Sequence, residues 1–124
     1  MEYSYRRVAT NGFERIREAI EREVPLHGFA VAGVHDLQAT LAAKGFPIQP
    51  LCIYELVLDS ELSGQDGIAL LTPCRLHVYV EEGEVWVGAI RPTLMALMFP
   101  EARIEVLASK VEERVVGLVD SAVA

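Results

Sequence analysis

No stretch of the sequence approaches the ~18 consecutive apolar residues that a membrane-spanning helix requires, so no membrane is expected as a partner. Positive charge is scarce as well: 11 Lys and Arg stand against 18 Asp and Glu, for a net charge of −7. Phosphate backbones demand a basic stripe, and its absence speaks against nucleic acid. Met1–Arg7 carries two arginines with no apolar segment behind them, so it does not read as a secretory signal and the cytoplasm is the expected compartment. Two cysteines are too few for a disulfide lattice, and in a reducing compartment they are expected as thiols. The chain lacks a Gly-rich phosphate loop, a His-Glu-x-x-His helix and a Gly-x-Ser-x-Gly elbow. Catalysis is therefore the less favoured expectation, and no cofactor is implied.

What the chain does have is apolar surface: 52% of its 124 residues are hydrophobic. A chain of this length buries roughly two-thirds of its unfolded surface, so residues 1–124 are expected to form one domain around one core. Glu2–Val8 alternates, with Tyr3, Tyr5 and Arg7 on one face and Ser4, Arg6 and Val8 on the other, and is assigned to a strand. Phe13, Ile16, Ile20 and Val24 recur at helical spacing and predict an amphipathic helix ending near Pro25 and Gly28. Gly28–Val34 predicts a second strand, after which Asp36 caps a helix through Leu37, Thr40, Leu41 and Ala43. Residues 46–67 are harder to read: Leu51–Tyr54 looks like a strand, and Leu56–Leu62 like a helical turn or two. Ile68–Leu71, Leu76–Glu81 and Glu84–Ile90 are read as strands, the last two joined by a Glu82-Gly83 turn. Pro92 opens a short helix over Thr93–Phe99, and from Glu101 the stripe Ile104, Leu107, Ala108, Val111, Val115, Leu118 and Ala122 predicts a terminal helix of about twenty residues.

A two-residue turn at Glu82-Gly83 fixes the pairing of the hairpin: Tyr79 opposite Trp86, Val80 opposite Val85, Val78 opposite Val87 and His77 opposite Gly88. Leu76, Val78, Val80, Val85, Val87 and Ala89 then form an aliphatic face for the helices. Arg75, His77, Tyr79, Trp86 and Ile90 share the other face, which is aromatic for one that should meet water. Cross-strand aromatic pairing explains it as sheet stabilisation; the alternative is a contact surface for a ligand or partner. Val116, Val119 and Val123 widen the stripe of the terminal helix, and together with the aromatic face they lead to the expectation of a homodimer.

Cys52 and Cys74 lie in apolar, strand-like settings, each close behind a proline. Two buried structural side chains account for them; a functional thiol would need a neighbouring cation or helix N-terminus to form thiolate. Arg75 follows Cys74 directly, yet in a regular strand it points to the opposite face. Cys74-x-x-His77 does not read as a metal site, because an odd separation places the pair on opposite faces and two further ligands are needed. His27 and His35 are expected as surface turn residues, Asp36 as a helix cap, and Glu81, Glu82 and Glu84 as a solvated tip that discourages edge pairing.

The motifs Gly28-Phe29-x-Val31, Asp36-Leu37-Gln38-Ala39-Thr40-Leu41, Leu51-Cys52-Ile53-Tyr54-Glu55-Leu56 and Leu70-Leu71-Thr72-Pro73-Cys74 stand in an order that, over most of the chain, resembles the domain-of-unknown-function 302 family. Gly28-Phe29-x-Val31 followed by Asp36-Leu37-Gln38-Ala39-Thr40-Leu41 is similar to the family's Gly-Phe-x-Val and Asp-Val-Gln-Ala-Thr-Leu. Leu51-Cys52-Ile53-Tyr54-Glu55-Leu56 resembles Ala-Cys-Asn-Pro-x-Leu, Leu70-Leu71-Thr72-Pro73-Cys74 resembles Leu-Leu-x-Pro-Cys, and Ala89-Ile90-Arg91-Pro92 before Met95 resembles Ala-x-Asp-Pro before a Met-containing helix. The resemblance implies an α+β domain, similar to the TATA-binding-protein-like arrangement of a curved, mostly antiparallel sheet with helices on one face, and a dimer. Fold does not carry DNA binding with it, and the acidic charge opposes it. This chain departs from the pattern at Ile53-Tyr54, Arg75 and Arg91, which replace the family's polar or acidic neighbours of the cysteines and of the proline.

Two readings follow. The first is a non-catalytic dimeric binding module that meets a small ligand or protein partner on the face around Arg75, His77, Tyr79, Trp86 and Ile90. The second is a thiol protein, redox or sulfur-transferring, that works through Cys52 and Cys74. The second requires the two sulfurs close together, and a disulfide requires Cα atoms within ~7 Å.

Overall fold

A computed structural model describes residues 2–124. Its sheet has five strands, β1 (Ser4–Ala9), β2 (Phe29–Asp36), β3 (Leu51–Leu58), β4 (Cys74–Glu81) and β5 (Glu84–Ile90). Their spatial order is β1-β5-β4-β3-β2, and every neighbouring pair is antiparallel. Four α-helices accompany them: α1 (Phe13–Glu23), α2 (Leu37–Ala42), α3 (Thr93–Met98) and α4 (Glu105–Val123). The architecture is α+β with an open sheet, as the sequence implies.

One face of the sheet is sealed. α4 lies over β1 and β5, α1 packs between α4 and β4, and α3 packs on α4. The core forms where the i, i+3, i+4 row Ile16, Ala19 and Ile20 of α1 meets Val111, Val115, Leu118 and Val119 of α4 and the strand residues Tyr54, Leu56, Leu76, Val78 and Val87. The helix layer stops at β3. On β2 only Phe29 is buried, while Val31 and Val34 remain exposed.

Register makes the other face readable. β4 and β5 pair as Tyr79 with Trp86, Val80 with Val85, Val78 with Val87 and His77 with Gly88, which is the pairing expected from the sequence. Glu82 and Gly83 both adopt positive φ, 52° and 79°, the geometry of a hairpin turn whose twist matches its strands. Asp36 caps α2 as expected, its carboxylate accepting from the Ala39 amide at 3.0 Å.

Several expectations need correction. The first strand starts two residues later than expected and ends one later, at Ser4–Ala9 instead of Glu2–Val8. The expected turns of helix at Leu56–Leu62 are instead the end of β3, whose buried residues Cys52, Tyr54, Leu56 and Leu58 alternate to the last position, followed by a 3-10 turn at Glu61–Gly64. Ile68–Leu71 is not a strand: Ile68–Leu70 is a 3-10 turn, closed when the Thr72 amide and hydroxyl both donate to the Ile68 carbonyl. β4 starts at Cys74, ahead of Leu76. The terminal helix begins at Glu105 and not Glu101, because Pro100–Ala102 forms a separate 3-10 turn and Arg103 sits at φ 54°.

The widened stripe of α4 also has a reason within one chain. Val119 is fully buried and Val116 and Val123 are half-buried, because α4 faces the sheet, α1 and α3 at once. That stripe lends no support to a dimer.

Candidate functional site

Alternation along β4 and β5 places Arg75, His77, Tyr79, Trp86 and Ile90 together on the face opposite the α1 and α4 layer. The neighbouring strands complete it. β1 contributes Arg6, whose register partner on β5 is Gly88, and Val8, opposite Trp86. β3 contributes Leu51 opposite Tyr79, Ile53 opposite His77 and Glu55 opposite Arg75.

Gly88 is the low point of this surface. A Cβ there would stand 2.8 Å from the Arg6 Cβ and 3.3 Å from the Tyr5 carbonyl, so β1 approaches β5 only because the position has no side chain. The result is a hollow of about 390 Å³ lined by Tyr3, Arg6, His77, Tyr79, Gly88 and Ile90. Arg6 forms its wall. Its guanidinium lies 4.3 Å from the centroid of the Trp86 ring, donates to the Tyr79 hydroxyl at 3.0 Å and stands 3.7 Å from a Glu81 carboxylate oxygen. The Arg6 cation, the Tyr3 and Tyr79 rings and the His77 imidazole thus border one depression, and Trp86 stacks on the Arg6 wall without lining it.

The surroundings of His77 favour its neutral form. Burial lowers its pKa below the usual histidine value, and the nearby Arg75 charge lowers it further. Neutral imidazole both donates and accepts a hydrogen bond, which suits a polar ligand group above Gly88. Arg75 itself has no carboxylate within ion-pair distance among the described residues. Its cross-strand neighbour Glu55 is occupied by His35 at 2.8 Å.

The structure separates the thiols. Cys74 pairs with Leu56 and Cys52 with Val78. The two sulfurs therefore belong to positions four residues apart along adjacent strands, roughly 13 Å at ~3.3 Å per residue and well beyond the ~7 Å Cα limit for a disulfide. The expected cysteine pair is not a pair, and both thiols are free. Burial pushes Cys74 up to about 11, and its Sγ donates to the Leu71 carbonyl at 3.1 Å. Burial also raises Cys52, against a smaller opposing effect of Arg17. Neither setting generates thiolate. Cys74 turns toward the helices and His77 away from them, as the odd spacing requires.

The remaining histidines have structural partners. His35 lies on β2, not in a turn, and binds Glu55; His27 is half-buried in the 3-10 turn Pro25–His27, 3.1 Å from the Ser121 hydroxyl. Sequence reasoning missed Tyr3, Arg6 and Gly88. Alternation puts Arg6 on the correct face of its strand with Ser4 and Val8, but only the strand order reveals that this face adjoins β5.

An antiparallel α+β sheet sealed on one face and open on the other, with a hollow on the open face, defines the class: a small open-faced sandwich. The family model described as "Domain of unknown function DUF302" matches residues 5–122, and the chain belongs to that family. A crystal structure of an uncharacterized conserved DUF302 protein from Bacillus stearothermophilus is similar in fold, with a TM-score of 0.84 at 23% sequence identity, covering 98% of this chain and 99% of that one. No curated protein matches the sequence.

Proposed function

We propose that the protein is a non-catalytic binding module whose open sheet face receives a small ligand or a protein partner over Gly88. The observation that carries this reading is the convergence of Arg6, His77, Tyr79 and Trp86 on the sheet face opposite the α1 and α4 layer. Apolar rings bordered by polar groups are what such contacts use. The thiol alternative loses its basis in the separation and the burial of the two cysteines. Homodimerisation belongs to the same proposal, with a second copy as one partner for the open face; sedimentation shows it as a mass that doubles with concentration.

The chain has one tryptophan, so its fluorescence reports on this face alone. Titration with anilinonaphthalene sulfonate, an aromatic anion, is expected to quench Trp86 saturably. The quench should be lost in His77→Glu, which places an anion beside the hollow. An unresponsive Trp86, or a response that His77→Glu leaves unchanged, contradicts the proposal.

A further inference from the structure

We propose that a second hollow, at the end of the sheet between the Leu70–Pro73 loop and α3, binds an aliphatic carboxylate with its chain in the hollow and its head group on Arg75. The inference rests on the open-face reading and extends it, because Ile90 lines both this cleft and the hollow over Gly88.

The cleft measures about 490 Å³, within the ~300–1,000 Å³ range of small-molecule sites. Its walls are aliphatic: Leu70, Leu71, Pro73, Ile90, Pro92 and Met95. Leu70 and Ile90 are 43% and 45% exposed, so apolar surface stands open on both sides. The polar groups on the lining are Cys74, Arg75 and Arg91, and no carboxylate is among them.

Two of these three are already engaged. The Cys74 thiol donates to the Leu71 carbonyl. Arg91 is held by Glu112, with Nε at 3.2 Å and a terminal nitrogen at 2.9 Å from the same carboxylate oxygen, and its other terminal nitrogen donates to the Glu2 carbonyl at 3.2 Å. Arg75 is left, charged and without an ion pair among the described residues. One free guanidinium at the mouth of an aliphatic cleft selects a ligand with one anionic head and an apolar body. Its planar fork matches a carboxylate with two parallel hydrogen bonds. A cationic or strongly polar ligand would meet either Arg75 or the unfilled aliphatic wall.

The test uses the whole chain with isotope-labelled methionine methyl groups and decanoate as the probe. Met95 lines the cleft, and Met98 on the same helix is 58% exposed and outside it. Decanoate is expected to shift the Met95 methyl resonance saturably and leave Met98 in place. Arg75→Gln, at an exposed position that tolerates the change, should weaken binding about ten-fold or more, and decanol should bind wild type as weakly as decanoate binds the variant. A Met95 resonance that does not move, or equal affinity in Arg75→Gln, overturns the assignment. If Trp86 responds to anilinonaphthalene sulfonate while Met95 ignores decanoate, the cleft assignment fails and the open-face reading stands. Silence at both positions removes both.

Discussion

Glu112 is the carboxylate on which the most structure converges, and Glu112→Gln measures what it contributes. One oxygen accepts from Arg91 at the end of β5, and the other accepts from the Thr93 amide at 3.1 Å and the Thr93 hydroxyl at 2.6 Å at the start of α3. One residue of α4 thereby ties down both elements that precede it. Its side chain is 14% exposed and that of Arg91 31%, so solvent screens the Arg91 contact while the Thr93 bonds lie on the better shielded carboxylate. Burial by itself would raise the Glu112 pKa, but the bonds from Thr93 and Arg91 outweigh it and hold the group below the usual carboxylate value. Glutamine keeps the shape and turns one acceptor end into a donor, which leaves either Arg91 or the Thr93 amide facing another donor. One lost charge-assisted bond is worth about 2 kcal/mol, or roughly 6–12 °C in Tm for a chain of this size. Urea unfolding of the two proteins across pH is the assay. A carboxylate with a depressed folded pKa stabilises the fold above its unfolded value of 4.5 and loses that contribution as pH falls through the folded value. The gap between wild type and Glu112→Gln should therefore be full at pH 7 and close on acidification below 4.5. A gap under about 0.5 kcal/mol at pH 7, or one that persists undiminished in acid, refutes the reasoning.

Three further outcomes follow from the same geometry. His77 should titrate with a midpoint below the ordinary histidine value of 6.5, so stability is complete above that pH and declines beneath it as the unfolded chain takes up the proton first; Arg75→Gln should raise the midpoint without restoring 6.5, because burial is the larger cause, and a midpoint at or above 6.5 in wild type contradicts this. Gly88→Ala should destabilise by about 1–3 kcal/mol, since its Cβ would press on the Arg6 side chain and the Tyr5 carbonyl, and a neutral result in denaturant would show that β1 yields easily. At pH 7 the Cys74 thiolate fraction should be on the order of 100-fold below that of an ordinary thiol, from a pKa of about 11 against 9.0, so a disulfide reagent that modifies it as fast as free cysteine contradicts the burial argument.

The hairpin was legible because two local signals agree there. Period-two alternation sorts its faces, and Glu82-Gly83 fixes the register, so the sequence alone assigns the whole set Arg75, His77, Tyr79, Trp86 and Ile90 to one face. β3 was not legible to the same depth. Its outward residues Leu51, Ile53 and Val57 are as apolar as its buried ones, so alternation disappears and the run Leu56–Leu58 resembles a helix. Ile68–Leu70 misleads for a different reason: three apolar residues cannot distinguish a strand from a turn, and Gly67 at φ +86° together with the Thr72 hydroxyl decides for the turn. Arg6 and Gly88 needed the sheet order, since residues more than eighty positions apart become neighbours only through β1 pairing with β5. Arg91 at the end of β5 is received by the carboxylate of Glu112, twenty-one residues on. Spacing alone could not have found that partner.

Amide chemical-shift mapping on the isotope-labelled chain, with anilinonaphthalene sulfonate added, tests the open face most directly. The account predicts perturbations centred on Arg6, His77, Trp86 and Gly88, spreading to Arg75 and Ile90 and leaving the buried side of α4 unchanged. Perturbations confined to the helix layer, or absent from β4 and β5, would contradict it.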